Sequence, residues 1–411
     1  MNEGDLLGRI SPESPVLPAS DRLAVDRLLR VVPVWRGAAL ARRLLEIDDR
    51  TLLHAGPPIN DIDRICEPVL NSAAIAALFE GWAKTAEDAR RLVRSGAIKF
   101  RPAQELGCVV PLADVLSPSM FVQIVEDAAG IARPAYSPFN GGTQHVIRVG
   151  QFDLKALERL KWLNSALALA LPSAFDEPIP LLAIADKGLV QGDDCHGKTA
   201  FASASLVEVL ATRVRGSTAS ESLAFLREAS GFFLNLWMAA SKCMMNAAAD
   251  TAGSSVVVAA GGNGVDFGIQ VAGHSGVWYC GRAAPPRMPP SLSHLAGDAL
   301  GAIGDSAVVD LLGLGAMTTL SSTSTRHDES VAQVFPSVGE VAESLLTVRH
   351  SGMPLSKPKM VIAARAVVAS GKTPIVSLGV LDKAGLRGRL GGGFYRPPVD
   401  IFAEAIIGLR E

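Results

Sequence analysis

One short, glycine-containing loop gathers side chains that could transfer protons, attack a carbonyl or bind a metal. The loop reads Gly192-Asp193-Asp194-Cys195-His196-Gly197-Lys198. His196 could move a proton at neutral pH, because the pKa of an unperturbed imidazole is about 6.5. Asp193 precedes it by three residues, a spacing that brings two side chains to one face of a helix. We predict catalytic roles for both, beside an anion favoured by the N-terminus of a helix that begins near His196.

The same loop has simpler or competing interpretations. Asp193 or Asp194 could cap the following helix and do nothing else. A thiol nucleophile at Cys195 has less support, since adjacent side chains usually point apart and no third partner is identified. A metal held by Asp193 and His196 has equally little support, because two ligands do not make a site. We therefore predict no metal.

A polar stripe marks residues 232–249, which otherwise read as an apolar helix. The stripe consists of Asn235, Lys242 and Asn246. At about 100° per residue, Asn235 and Lys242 lie within roughly 20° of each other, and Asn246 lies about 40° further round. A helix that is apolar nearly all round is buried, and a buried lysine must be paired, reach solvent or line a wet cavity. We predict a catalytic Lys242 and a substrate-binding Asn235 in one pocket with the acid–imidazole loop, the alternatives being an ion pair or a lysine that reaches solvent.

Three more polar residues lie where they could hold a small anion or amide. Arg148 ends a short apolar segment, and its planar guanidinium matches a carboxylate or phosphate. Asn263 lies in the glycine turn at 261–264, and Asp305 precedes an apolar helix. We predict substrate-binding roles for Arg148, Asn263 and Asp305, although Arg148 could be a surface strand residue and Asp305 an N-cap.

Composition excludes several classes of protein. The chain has 411 residues, is 48% apolar and carries a formal net charge of −2 without a basic tail, so nucleic acid is not an expected partner. The polar start predicts no secretory signal, and Lys242 argues against a membrane span. Five cysteines without a CxxC pair fit a reducing cytoplasm. The absence of GxxxxGK[ST] and GxGxxG motifs predicts no nucleotide cofactor.

Helical and strand-like segments alternate in the first third of the chain and predict an α/β fold class, α+β overall and multidomain. Predicted helices lie at 21–31 (capped by Ser20), 37–47, 60–83, 86–95, 152–173, 306–319, 337–346 and 359–370, followed by one at the C-terminus. Predicted strands lie at 51–55, 98–101, 121–125, 145–149, 254–260, 267–271, 277–280 and 373–379, with a glycine-rich turn at 387–394.

These segments predict four regions. They are a flexible arm at 1–20, a Rossmann-like α/β domain at 21–135, a mainly helical domain at 136–250 and an α+β domain at 251–411.

Several segments, taken in order, resemble the family known as DUF1116. They are LLHAGPPI at 52–59, LFEGWAK at 78–84, VIRVG at 146–150, GLVQGDDCH at 188–196, FFLNLWMAASK at 232–242, NGVDFGIQVAG at 263–273, GDSAVVDLLGLGAM at 304–317 and TPIVSLGV at 373–380. The resemblance covers residues 20–405, and these motifs are specific in combination. It implies a cytoplasmic, multidomain α/β protein similar to a subunit of oxamate carbamoyltransferase.

The resemblance also implies an activity and partners. Carbamoyl would be exchanged between oxamate and phosphate, which yields carbamoyl phosphate from oxalurate, and a partner subunit would resemble an acyl-CoA ligase. We expect a small ureido or amide acid and phosphate as ligands, and a homo-oligomer. Two alternatives stay open: a hydrolase of a C–N bond in a ureido or cyclic amide compound, and a non-catalytic scaffold subunit.

Overall fold

The computed structural model describes residues 17–318, 329–346 and 348–410. Most of the predicted arm at 1–20 lies outside the described residues. The helices are α1 Ala19–Leu29, α2 Ala41–Leu44, α3 Glu67–Phe79, α4 Ala86–Arg94, α5 Leu154–Trp162, α6 Ala168–Ala170, α7 Leu181–Gln191, α8 Ala200–Arg213, α9 Ala219–Glu228, α10 Phe232–Ala248, α11 Ala307–Leu311, α12 Glu329–Val334, α13 Val338–Leu345, α14 Ala364–Ser370 and α15 Val399–Gly408. A π-helical turn, Leu163–Leu167, joins α5 to α6.

Strands are short and distributed along the whole chain. They are β1 Pro33–Leu40, β2 Thr51–His54, β3 Lys99–Pro102, β4 Val115–Leu116, β5 Phe121–Asp127, β6 Ala135–Pro138, β7 Ile179–Pro180, β8 Val257–Asn263, β9 Asp266–Val271, β10 Tyr279–Arg282, β11 Ile303–Gly304, β12 Val348–Arg349, β13 Lys359–Met360, β14 Val376–Leu381 and β15 Arg389–Tyr395.

The strands form several small sheets. One has the order β6-β5-β1-β7, another β10-β9-β8-β11, and both are antiparallel. A third has the order β3-β2-β4, in which β2 and β3 are parallel and are connected through α3 and α4. Parallel pairing through a helical crossover is the βαβ arrangement, and among the strands of the described residues this pair alone shows it. The α/β, multidomain fold class is confirmed as a mixture of helices and several sheets.

The long helix α10 lies at the centre of the larger hydrophobic core. It contacts α1, β5, β6 and β8, and most of its side chains are buried, including Phe233 and Trp237 at 0% exposed. This burial follows from a sequence that is apolar around almost the whole helix. The helix therefore connects the sheet that contains β5 and β6 with the sheet that contains β8.

Many predicted elements are confirmed, and α1, β2, α4 and the β8–β9 hairpin are the clearest. The segment 37–47 is a wrong prediction, because residues up to Leu40 form β1 and pair antiparallel with β5. Tertiary pairing overrides local helix propensity there. Ser20 does not cap α1, whose N-cap is Pro18.

Two further predictions are wrong for identifiable reasons. Residues 145–149 do not form a strand, since His145 has a left-handed φ of +51° and Ile147–Val149 is a 3-10 turn. The predicted turn at 387–394 is largely strand β15, paired with β14. Glycine is needed there for close packing, because a Cβ on Gly393 would lie 3.0 Å from the carbonyl oxygen of Arg287.

The proposed division into domains remains a prediction. Strands β5 and β1 precede the boundary at 135/136, whereas most of β6 and all of β7 follow it, and all four share one sheet. In the described part of the chain, no helix has the length and apolar character needed to cross a membrane.

Candidate functional site

The loop at 192–198 is a tight, internally bonded structure. One carboxylate oxygen of Asp194 accepts hydrogen bonds from the backbone N–H groups of His196, at 2.7 Å, and Lys198, at 2.8 Å. The backbone N–H groups of Asp194 and Cys195 both donate to the carbonyl of Lys198. Cys195 has a left-handed φ of +64°, which is unusual for a residue with a side chain. The loop therefore holds His196 in a single position.

Asp193 makes the contacts expected from the capping interpretation of the loop. Its carboxylate accepts hydrogen bonds from the N–H groups of Ala202, at 2.8 Å, and Phe201, at 3.3 Å. These are orphan donors of the first turn of α8, which begins at Ala200 and not near His196. The contacts of Asp193 are thus those of a helix-capping residue.

The imidazole of His196 is oriented by a buried aspartate that is remote in sequence. Nδ1 of His196 lies 2.5 Å from Oδ2 of Asp310, a residue that is 0% exposed. The other oxygen of Asp310 accepts from the N–H groups of Ala316, at 2.9 Å, and Ser377, at 3.0 Å. A Cβ on Gly315 would come within 2.2 Å of this oxygen, so glycine permits the close approach.

This pairing changes the acid–base properties of the histidine. Burial by itself lowers the pKa of His196, but attraction to Asp310 and the hydrogen bond between them outweigh it, and the net pKa is raised above the usual 6.5. Because Nδ1 is bonded to Asp310, Nε2 is the ring nitrogen that remains for a ligand. An aspartate that orients a histidine in this way supports proton transfer at Nε2.

His196 lies on the wall of a cavity of about 450 Å³. The cavity is also lined by Arg148, Lys198, Arg389, Asn140 and Ser377. The first residues of α8 and the N-cap of α10, Gly231, reach the same cavity. Three cationic side chains and two helix N-termini outnumber the one carboxylate among these lining residues, that of Asp194, and favour small anions.

The two arginines have no anionic partner within 4 Å among the described residues. Nη2 of Arg148 donates to the carbonyl of Gly142 at 2.7 Å, while its Nε is buried without a partner in the described part of the chain. Nε of Arg389 donates to the carbonyl of Gly391 at 3.1 Å. Burial, and then the proximity of Arg389, lower the pKa of Arg148 to about 10, and burial also lowers the pKa of Arg389. Arg148 is half-buried and Arg389 is exposed, and two neighbouring guanidinium groups on one cavity wall favour a bound anion between them.

Asn235 lies behind the cavity and does not line it. Its Oδ1 accepts from Nδ2 of Asn140 at 3.0 Å, and its own Nδ2 donates to the carbonyl of Pro138 at 2.9 Å. Further along α10, Asn246 donates to the carbonyls of Arg133 and Pro134. The amides of the polar stripe therefore attach α10 to strand β6 and the residues before it, and Asn235 fixes Asn140 at the cavity wall.

Lys242 does not share this cavity, so the prediction of one pocket is wrong. Its Nζ donates to the carbonyl of Val258 at 2.8 Å, and its side chain lines a separate cavity of about 640 Å³. Leu234 lines the first cavity and Lys242 the second, and eight residues of helix separate them by about 12 Å along the axis. The helical periodicity places Asn235 and Lys242 on one face of α10. It does not determine which cavity each turn of that face lines.

Asn263 closes the β8–β9 hairpin. Its Oδ1 accepts from the N–H groups of Val265, at 3.0 Å, and Asp266, at 2.8 Å, and its Nδ2 donates to the carbonyl of Pro57 at 3.0 Å. These bonds satisfy the amide within the protein, and Asn263 does not line the cavity of His196. Its contacts are therefore structural.

Asp305 connects three distant segments. It is 0% exposed and accepts from Gln104 Nε2 at 2.6 Å, Gly56 N at 2.9 Å and Val110 N at 3.0 Å. Burial raises its pKa to about 7. It is not an N-cap, since Ser306 occupies that position for α11. Its carboxylate therefore has a structural role in this geometry.

The surroundings of Cys195 do not favour a thiol nucleophile. The thiol of Cys195 is 0% exposed, and burial raises its pKa well above the usual value, which leaves it protonated and inert. No cluster of metal-ligating side chains occurs in the ranges that the structure describes.

Two cavity-associated residues were not identified from the sequence. Asp310 is an isolated carboxylate inside the apolar segment 306–319, and such a residue signals a buried polar partner. Arg389 lies in a glycine-rich segment and offered no comparable signal.

The fold and the cavity define a multidomain α/β protein with a cavity lined by cationic side chains and an aspartate–histidine pair. A model of the family described as oxamate carbamoyltransferase subunit AllG matches residues 98–306, more than half of the chain. The chain therefore belongs to this family.

Individual relatives span nearly the whole chain. The oxamate carbamoyltransferase subunit AllG of Escherichia coli K12 is 29% identical, over 94% of this chain and 96% of its own length. The uncharacterized protein YahG of the same organism is also 29% identical, over 98% of this chain and 88% of its own length. A crystal structure of a conserved protein of unknown function from Enterococcus faecalis V583 is 28% identical with a TM-score of 0.86, covering 95% of this chain and 97% of that chain.

Proposed function

We propose that this chain is the cytoplasmic subunit of a carbamoyltransferase that binds a small ureido acid and phosphate, with oxalurate and oxamate as its substrate pair. The observation that carries the proposal is the pairing of His196 with Asp310 on the wall of a cavity that Arg148, Lys198 and Arg389 also line. Membership of the family supplies the reaction class, and the cavity supplies groups that suit it.

Arg148 and Arg389 are the proposed anion holders. Phosphorolysis of a ureido acid brings together two anions, a carboxylate and a phosphate, whose mutual repulsion must be offset. The two guanidinium groups face one cavity without carboxylate partners of their own within 4 Å in the described residues. The backbone N–H groups at the starts of α8 and α10 add to this positive potential.

His196 is the proposed proton carrier. A phosphate oxygen attacks the terminal ureido carbon of oxalurate, a C–O bond forms, and the C–N bond to the oxamate nitrogen breaks. That nitrogen leaves as a neutral amide once it takes a proton from Nε2 of His196. The raised pKa of His196 keeps this proton available near neutrality. Nε2 regains a proton from the attacking hydrogen phosphate. In the reverse direction, Nε2 accepts the proton that the oxamate nitrogen loses.

Asn140 and Asn235 have positioning roles in this scheme. Asn140 lines the cavity and donates Nδ2 to Asn235, while its Oδ1 accepts from the N–H of Gly142. These hydrogen bonds fix the turn that contains Gly142. The carbonyl of Gly142 in turn accepts a hydrogen bond from Arg148. Asp193, Asn263 and Asp305 contribute to the fold around the site, without contacting the substrate.

The chain is proposed to act within a complex. The name of its relative describes a subunit, so we propose that other chains complete the enzyme, one of them similar to an acyl-CoA ligase. Self-association of this chain is a further part of the proposal.

The test is phosphate-dependent turnover of oxalurate, measured as carbamoyl phosphate formed by the chain alone and by the complex isolated through it. We expect turnover that requires phosphate and falls in His196→Ala. Turnover without phosphate would instead indicate hydrolysis. A complex that keeps full activity with His196→Ala and Arg389→Met combined would indicate a scaffold subunit.

A further inference from the structure

The second cavity, at the far end of α10, has the properties of a separate binding site. Its volume of about 640 Å³ is larger than that of the cavity beside His196. Lys242 and Gln270 lie at its buried end, each 5% exposed, while Glu46 and Glu105 line its rim and are exposed. Lining residues of the two cavities do not overlap, so a ligand here would not occupy the reaction cavity.

The buried end presents hydrogen-bond donors that the protein does not satisfy. The ammonium of Lys242 has three N–H donors, and the described residues supply one acceptor within bonding distance, the carbonyl of Val258 at 2.8 Å. Nε2 of Gln270 is buried and donates to nothing in the described residues, while its Oε1 accepts from Gly276 N at 2.9 Å. A buried donor without a partner destabilises the folded chain, and more so if it is charged.

Among the residues that the structure describes, no carboxylate lies within 4 Å of the ammonium of Lys242. Asp305 attracts it but does not lie within 4 Å, and its oxygens already accept from Gln104 Nε2 and from the N–H groups of Gly56 and Val110. Gln104 lines the cavity but donates to Asp305 and to the carbonyl of Ala260. The described residues therefore leave donors of Lys242 open toward the cavity, and an acceptor with negative charge suits a buried ammonium best.

The rim has the opposite character. Glu46 and Glu105 are acidic and exposed, and Asp250 is paired with Arg133 across 3.6 Å. Acidic groups at the mouth disfavour a molecule that carries negative charge at both ends, and favour a cationic group there. The cavity thus has hydrogen-bond donors, Lys242 and Gln270, at its buried end and carboxylates, Glu46 and Glu105, at its exposed rim.

We propose that this cavity binds a small zwitterion of the ω-amino acid class, with its carboxylate on Lys242 and Gln270 and its ammonium toward Glu46 and Glu105. The carboxylate supplies the acceptors that the two buried side chains lack. The site is independent of the proposed carbamoyl transfer.

The test is isothermal titration calorimetry with glycine, 4-aminobutyrate and 6-aminohexanoate, which place the two charges at increasing separation. We expect at least one to bind, and to bind at least tenfold more weakly to Lys242→Met and to Gln270→Leu. Glutarate and pentylamine, which each keep one of the two terminal groups, should bind more weakly than the best amino acid. Arg389→Met, altered in the other cavity, should retain the wild-type affinity.

Two results would overturn the proposal: no binding of any of the three amino acids to the wild-type chain, or unchanged affinity in a folded Lys242→Met variant. Far-UV circular dichroism and the urea midpoint verify folding of each variant. Gln270→Leu serves as the second probe because it removes one amide and leaves the charge of Lys242 in place. Protection of Lys242 from reductive methylation by the bound amino acid, read by peptide mass spectrometry, locates the binding site directly.

Discussion

Nδ1 of His196 lies 2.5 Å from Oδ2 of Asp310, a pairing that spans 114 residues of sequence. The loop at 192–198 holds the histidine backbone through Asp194. The aspartate accepts from the N–H of Ala316, in the turn after α11, and from the N–H of Ser377, in strand β14. Each partner is therefore fixed independently, and the imidazole has one orientation before any ligand arrives. Such preorganisation reduces the reorganisation needed when a proton moves.

We predict that His196→Ala lowers the rate of carbamoyl transfer by about 10²–10⁴-fold, the usual contribution of a positioned proton donor. The measurement is kcat for carbamoyl phosphate formation in the assembled enzyme. His274→Ala is the matched control, because His274 bonds to Tyr279 and lines neither the reaction cavity nor the cavity of Lys242. A rate in His196→Ala equal to that of the control would exclude the proposed role.

Asp310→Asn should change the pH dependence as well as the rate. The raised pKa of His196 depends on the negative charge of Asp310, so the neutral amide should lower that pKa. Phosphorolysis needs the protonated imidazole and should therefore decline as pH rises through the pKa of His196. In Asp310→Asn this decline should begin at a lower pH, which a profile of kcat from pH 5 to 9 would detect. An identical profile in both proteins would contradict the assignment.

Arg148→Met and Arg389→Met should each weaken binding of the anionic substrates by about 10–100-fold in KM, since a charge-assisted hydrogen bond contributes about 1.5–3 kcal/mol. Arg148 has the larger expected effect, because its unpartnered Nε is already desolvated. Arg36→Met is the control, an exposed arginine on β1 that faces Glu126 at 3.9 Å. Equal KM values for phosphate and oxalurate in all three variants would argue against an anion site here.

Local sequence patterns were sufficient for the elements whose stability is local. Helix α4 begins after Thr85, whose side chain accepts from Asp88 N, and an N-cap of this kind is visible in sequence. The asparagine–glycine turn likewise marks the β8–β9 hairpin. Strand β1 was missed because its extended form depends on pairing with β5, in which Leu40 pairs with Phe121, 81 residues later in the chain.

The candidate site was predictable only where a residue stands out in its local sequence. His196 stood out by its residue type, and Arg148 by its charge in an apolar segment. The partner of His196 could not be read from the sequence, because Asp310 reaches it through the tertiary fold. Lys242 lines a cavity other than the one it was predicted to share with His196, because periodicity alone cannot tell which end of α10 faces which cavity.

Lys242→Met should alter the pH dependence of stability. Burial lowers the pKa of Lys242 to about 8, against about 10.5 in the unfolded chain. Between these values the unfolded state binds more protons, so the wild-type chain should gain stability relative to Lys242→Met as pH rises from 8 to 10. The expected gain is about 1–3 kcal/mol, measured as the change in urea midpoint at each pH. A difference that stays constant with pH would show that the ammonium is not desolvated.

Asp305→Ala should destabilise the fold by about 3 kcal/mol or more, because it leaves the N–H groups of Gly56 and Val110 and the amide of Gln104 without an acceptor. Asp49→Ala, at an exposed position, is the control and should change little.

Asp305→Asn removes the negative charge of the side chain and keeps its size, so it tests the effect of the charge alone. Since burial raises the pKa of Asp305 to about 7, the folded state binds its proton more tightly than the unfolded state, and the wild-type chain should lose stability relative to Asp305→Asn as pH rises from 4 to 7. The opposite slope in urea midpoints would mean that the carboxylate is stabilised in its ionised form.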